Sequence, residues 1–148
     1  MSPTLKGDLP DPSVVADMDR AAERLADAVS SGEGIAIFGD YDVDGATSSA
    51  LIARFLRALG REPAVYIPDR LSEGYGPNVE AMTRLAREGA KVIVTVDCGT
   101  QAHEALAAAR AAGADVIVYD HHLPGEALPD AFAVVNPSRH EDTSGLGH

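Results

Sequence analysis

The sequence predicts a doubly wound α/β domain whose mainly parallel sheet is flanked by helices, and two observations carry that expectation. Short runs rich in Val and Ile recur without strict apolar–polar alternation, and most are followed by a loop and then a stretch of helical periodicity. Such runs belong to strands buried on both faces, and strands that alternate with helices form a parallel sheet covered on each side. A length of 148 residues with 45% hydrophobic content suits one domain with its own core.

From Pro12 to Ser31 the apolar positions Val14, Val15, Met18, Ala22, Leu25, Ala26 and Val29 recur at helical spacing, and Gly32 and Gly34 supply a stop. Ile35 to Phe38 is the first expected strand, bounded by glycines; an acidic turn then leads to a helix from Ala46 to Leu59 that ends at Gly60. Ala64 to Ile67 is the second strand, followed by a Gly/Pro loop and a helix from Val79 to Glu88. Val92 to Val96 precedes a helix from Gln101 to Ala112, Val116 to Tyr119 precedes another turn, and Ala133 to Val135 reads as one more strand. These elements divide the chain into an N-terminal leader with an amphipathic helix, residues 1–33, and an α/β domain, residues 34–148. The polar segment from Asn136 to His148 lacks a closing helix, so we expect the domain to be incomplete at its C-terminal end.

Cys98 is the only cysteine, which excludes an internal disulfide and a thiolate zinc cluster and favours a reducing, cytoplasmic setting. No apolar run approaches the roughly 18 residues of a membrane span, so neither a signal peptide, an anchor nor a membrane partner is expected. The formal net charge of -11 is unfavourable for phosphate contacts by Lys and Arg. It suits a metalloprotein equally well, because divalent cations offset clustered carboxylates.

In doubly wound folds ligands bind where strands end and loops begin. Gly39-Asp40-Tyr41-Asp42-Val43-Asp44-Gly45 follows the first strand, Asp97-Cys98-Gly99 the third, and Asp120-His121-His122 the fourth. Asp40, Asp42, Asp44, Asp97 and Asp120 are thereby expected in one crevice, with His121 and His122 beside them. Carboxylates so crowded repel one another and raise each other's pKa unless cations compensate. Oxygen ligands with few imidazoles suit two divalent ions, manganese first and magnesium second. In an extended exit segment Asp42 and Asp44 would point to one side and approach neighbouring ions, with Asp97 bridging from another strand. Two such ions activate water and stabilise the leaving oxygen of a phosphoester. Each motif alone has a plainer reading: Asp44-Gly45 as a turn, Cys98 as a small packing residue, the histidine pair as a surface feature. Their occurrence in order, each after a strand, favours the common site.

The three motifs resemble those of the DHH phosphoesterases, and Asp40-Tyr41-Asp42 together with the segment from Pro68 to Asn78 resembles the RecJ-type exonucleases within them. The resemblance runs from about Gly34 to the end. It implies metal ligation by Asp42, Asp44, Asp97 and His121, with Asp40 where many relatives carry a ligating histidine. It places His122 on the scissile phosphate, and Asp120 as an acceptor that orients the imidazoles. Arg70 is expected to contact phosphate and Tyr75 to stack on a base or sugar. The implied activity is 5′-to-3′ hydrolysis of single-stranded DNA in recombination and repair, with replication or repair proteins as possible partners. A further metal-binding Asp would follow beyond His148, so this polypeptide alone is expected to be weakly active or inactive. Two alternatives stand within the resemblance: a phosphoesterase acting on oligonucleotides, cyclic dinucleotides or pyrophosphate, and a non-catalytic replisome scaffold. A phosphorylated receiver-like domain also gathers acidic residues at strand ends, but it leaves the adjacent histidines unexplained.

Overall fold

In the computed structural model, which describes residue 4 and residues 9–147, five parallel strands form one sheet in the order β2-β1-β3-β4-β5. The strands are β1 (Gly34–Gly39), β2 (Ala64–Tyr66), β3 (Ala90–Val96), β4 (Asp115–Tyr119) and β5 (Ala133–Val135). The helices are α1 (Met18–Ser31), α2 (Val43–Ala58), α3 (Val79–Arg87) and α4 (His103–Ala111). The chain runs outward from β1 to the edge strand β2 and returns to the far side of β1 at β3, so the topological switch point lies between β1 and β3. The leader expected before α1 falls partly on residues 1–3 and 5–8, outside the described residues.

Strand alternation sorts the core into two layers. Ile35, Ile37, Val92, Val94, Val96 and Ile117 face α1 and α2, meeting Ala21, Ala28, Ala53 and Leu56. Ala36, Phe38, Ile93, Val116 and Val118 face the opposite way onto Met82 and Leu85 of α3 and Leu106 and Ala109 of α4. Fully burying each large side chain contributes about 1.5–3 kcal/mol, and the paired layers explain why the strands read as runs without strict alternation. Small Ala residues on the helices let them approach the sheet closely.

The expected helix over 12–31 is shorter in the structure. Residues Pro12–Val14 form a 3-10 turn, and α1 begins only at Met18 because Asp17 adopts a left-handed conformation with φ 62°. The Asp17 carboxylate accepts hydrogen bonds from the Val134 backbone N–H at 3.0 Å and from Arg139 at 2.9 Å. Its contact with the end of the chain thus outweighs continuation of the helix. Among the described residues no helix is long and apolar enough to cross a membrane.

Candidate metal centre

Three aspartates stand one residue beyond three strands, and each is tied by its backbone to the next strand. The N–H of Asp40 donates to the Val96 carbonyl at 3.3 Å, that of Asp97 to Tyr119 at 2.8 Å, and that of Asp120 to Val135 at 3.1 Å. The parallel ladder therefore continues one step past β1, β3 and β4 and delivers three carboxylates to the same edge of the sheet. Asp97 occupies the left-handed region, with φ 61°, a conformation that Asp tolerates better than most residues and that recurs at functional sites.

Glycines make room for this edge. A Cβ on Gly45 would lie 2.4 Å from the backbone oxygen of Asp40, and one on Gly39 would lie 2.1 Å from the Ser49 hydroxyl. The first turn of α2 thus packs directly on the Asp40 backbone. Asp42 is the N-cap of α2, its Oδ1 accepting from the N–H groups of Asp44 at 2.9 Å and Gly45 at 3.0 Å. This corrects the expectation of an extended exit: the helix starts at Val43 rather than Ala46, and Asp44 sits in its first turn. Asp42 is accordingly grouped with Asp40 and Asp97, each offering one oxygen within 4.8 Å of the others. Asp44 lines a shallower recess with Ser48, Asp97, Tyr119, Asp120 and His121.

The imidazoles complete the cluster. His121 Nε2 lies 3.0 Å from Asp97 Oδ1, and His122 Nδ1 lies 2.7 Å from Asp120 Oδ1. Asp97, His121 and His122 form a second set of potential ligand atoms within 4.8 Å of one another, so Asp97 belongs to both sets. Asp120 is bound from several sides: its Oδ1 also accepts from the N–H groups of His121 and His122, and its Oδ2 from that of Thr100. Burial works against its charge, but the bonds from His122 and Thr100 prevail and hold its carboxyl below the ordinary range. The same ion pair with Asp120 raises the pKa of His122.

Asp97 behaves differently. Burial, followed by the facing Asp42 carboxylate, pushes its pKa up to about 6, whereas bonds from the Gly45 N–H and from Asp97 hold Asp42 low. The two facing carboxylates therefore resist being ionised together. Asp40 and Asp97 are 2% and 6% exposed, and Asp40 Oδ1 and Asp97 Oδ2 are buried without a hydrogen-bond partner. Buried carboxylate oxygens without a hydrogen-bond partner cost several kcal/mol. Oxygen donors with one or two imidazoles fit a hard divalent cation such as manganese or magnesium, so the residues present match the metals that the composition suggests.

The loop after β2 reaches this edge in part. The Tyr75 hydroxyl lies 3.3 Å from His122 Nδ1 and donates to the Asp97 carbonyl at 3.3 Å, with its ring edge-on to His122. Burial and the nearby carboxylates, Asp120 foremost, raise its pKa, so it remains a proton donor. Arg70 is not brought to the histidines; its guanidinium lies over the Tyr41 ring at 5.0 Å, between Asp40 and Asp42 in sequence. Glu73 pins the loop, accepting from the Tyr66 hydroxyl, the Asp69 N–H and Asn78. Cys98 is fully buried, and burial raises its thiol pKa, as fits a packing residue. Sequence reasoning missed Tyr41, Thr100 and Asn136. Asn136 directly follows β5, so the rule that singled out Asp40, Asp97 and Asp120 would have found it too.

Residues 34–147 match the family described as DHH family, N-terminal domain, and the chain belongs to that family. Within it, the chain is similar to the N-terminal core of the single-stranded-DNA-specific exonuclease RecJ. It is 43% identical over 136 residues to RecJ of Bacillus subtilis, a match covering 92% of this chain and 17% of that protein. It is 46% identical over 122 residues to RecJ of Salmonella typhimurium, covering 82% of this chain and 21% of that protein. The chain thus spans about a fifth of the length of these relatives. Its fold matches a crystal structure of exonuclease RecJ bound to manganese, with TM-score 0.79 and 38% identity over 86% of this chain and 33% of that one. RecJ of Thermus thermophilus in complex with Mn2+ matches with TM-score 0.73 and 32% identity, over 87% of this chain and 18% of that one.

Proposed function

We propose that this chain is the metal-holding part of a nuclease that hydrolyses phosphodiesters of single-stranded DNA, working in recombination and repair alongside replication or repair proteins. The observation that carries the reading is the meeting of Asp40, Asp42 and Asp97 oxygens at the switch point, two of them buried and without partners, beside His121. Two divalent ions, manganese by preference, would be held by Asp40, Asp42, Asp44, Asp97 and His121; when bound they supply activated water and stabilise the departing oxygen. Asp97 is the shared ligand, since it stands in both sets of donor atoms.

The remaining side chains bind and orient. His122 keeps Nδ1 on Asp120, so Nε2, which the Tyr75 hydroxyl approaches to 3.4 Å, is the ring atom it would turn to a scissile phosphate. The Nδ1 bond to Asp120 steadies positive charge on the ring, which suits it to an anionic oxygen. The recess of about 360 Å³ beside it, lined by Tyr75, Gly76, Pro77, Thr100 and Gln101, has room for a sugar or base, with the Tyr75 ring at its mouth. Arg70 stands farther out over Tyr41, where it would meet phosphate of the strand rather than the reacting group.

The test has two arms. Manganese titration of this chain by calorimetry is expected to show binding that Asp97→Ala removes. A chimaera in which residues 34–147 replace the matching segment of Bacillus subtilis RecJ is expected to degrade single-stranded DNA with manganese and to spare duplex DNA. Hydrolysis of pyrophosphate or short dinucleotides with single strands left intact would assign the site to small substrates. Absence of manganese binding in both proteins would assign the chain a scaffold role.

A further inference from the structure

Asn136 follows β5 and is fully buried, which makes its side-chain amide costly unless every polar atom finds a partner. Its Nδ2 donates to the Thr100 hydroxyl at 2.9 Å and to the His122 backbone carbonyl at 2.8 Å, and its Oδ1 accepts from the Ser138 N–H at 2.8 Å. Thr100 is itself 1% exposed, and its N–H holds Asp120 Oδ2 at 3.0 Å. His122 is consequently gripped at three points. Asp120 takes its backbone N–H and its ring, and Asn136 takes its carbonyl from another strand.

We infer that Asn136, acting with Thr100 on the His122 carbonyl, is a positioning residue that aims the His122 ring. Only an Asn side chain reaches this point with two N–H donors and one acceptor on so short a stem; Asp would lose both donors and Leu all three bonds. Both donated bonds end on residues that line the recess beside the metal ligands, Thr100 and His122, rather than on the helices that cover the sheet. Without Asn136 the carbonyl of the last residue in Asp120-His121-His122 has no fixed partner from outside its own loop, and the ring can leave Asp120. The catalytic consequence rests on the reading of His122 as the phosphate-facing imidazole; the positional one does not.

Long-range proton–nitrogen spectra of the histidine rings, recorded on this chain above the pH at which the imidazole titrates, separate aiming from mere stability. The parent protein and Val135→Ala, a core deletion in the same strand, are expected to show His122 as the Nδ1–H tautomer bonded to Asp120. Asn136→Leu is expected to shift His122 toward the Nε2–H form that free imidazoles favour, and Thr100→Val to shift it part of the way. In the chimaera, Asn136→Leu should lower turnover at saturating single-stranded DNA ~10–100-fold, with manganese affinity held within about twofold. An unchanged His122 signature in Asn136→Leu, or equal loss of it in Val135→Ala, overturns the assignment. Should Asn136→Leu fail to fold, Thr100→Val decides: a partial tautomer shift supports the inference and no shift defeats it. An unsubstituted chimaera without activity counts against the nuclease reading alone, and the ring spectra still decide the role of Asn136.

Discussion

His121 Nε2 and Asp97 Oδ1 lie 3.0 Å apart although the two residues leave different strands. Asp97 also faces Asp42, so a single carboxylate touches both halves of the cluster. This shared position distinguishes it from every other acidic residue at the sheet edge.

Asp97→Ala should accordingly be the most damaging ligand substitution. We expect manganese affinity to fall by more than ~100-fold, beyond the 10–100-fold typical of outer-shell changes, and turnover to vanish. His122→Ala should leave affinity nearly intact and cut turnover. Calorimetry beside rate measurements checks the division, which equal loss of metal in both variants would refute.

The raised pKa of Asp97 makes stability depend on pH in a particular direction. Its ordinary value is 3.8 and its folded value about 6. Between the two the folded state keeps a proton that the unfolded chain has released, so stability of the metal-free protein falls as pH rises through that window. Manganese displaces the proton, so its affinity should rise across the same window. Thermal unfolding from pH 4 to 7, with chelator and with saturating manganese, tests both signs; a flat metal-free profile contradicts them.

Asp42 caps α2 and is a proposed metal ligand, and two substitutions separate those duties. Asp42→Asn keeps a capping oxygen and should hold the melting temperature while weakening manganese binding. Asp42→Ala should lose metal affinity and also lower the melting temperature. Equal melting temperatures for the two variants would show that the cap contributes nothing.

Gly45→Ala should injure the site without touching a ligand. The added methyl would meet the Asp40 backbone, 2.4 Å from its oxygen and 2.6 Å from its nitrogen. Overpacking of this kind costs about 1–3 kcal/mol, and α2 can relieve it only by moving away from Asp40. A drop in both melting temperature and manganese affinity is expected; unchanged affinity would mean that Asp40 stands outside the coordination.

Cys98→Ser should be mild, because the thiol is buried and serves packing. Thiol reagents should reach it only on unfolding. Rapid modification of the native chain, or complete inactivation by Ser, would give it a role that its surroundings do not suggest.

The sheet was legible from sequence because both of its faces are covered. Strands such as Val92 to Val96 and Val116 to Tyr119 announce themselves by Val and Ile on both faces, and β5 appears at its expected bounds. Helix starts were harder to read, since they depend on single hydrogen bonds: the Asp42 cap moves α2 forward to Val43, and the tie of Asp17 to Val134 and Arg139 moves α1 back to Met18. The strand-end rule located the acidic residues and the histidine pair. It did not show that Arg70 would lie over Tyr41 while Tyr75 reached His122, because these loop side chains are placed by partners distant in sequence, Tyr41 for the one and Asp97 and His122 for the other. Asn136 also follows a strand and the same rule reaches it; the sequence does not show its partners, Thr100 and His122, which lie on other strands' loops.

The backbone bond from Asp97 to Tyr119 would let a bound metal influence how the chain assembles. Successive residues of a strand face opposite ways, so a slip of β3 by a single place would present the sulfur of Cys98 where an oxygen is required and turn the carboxylate toward the apolar layer. An ion that prefers oxygen donors would tell the two alignments apart. Manganese supplied during refolding should then act as a proofreader of strand alignment as well as a reagent.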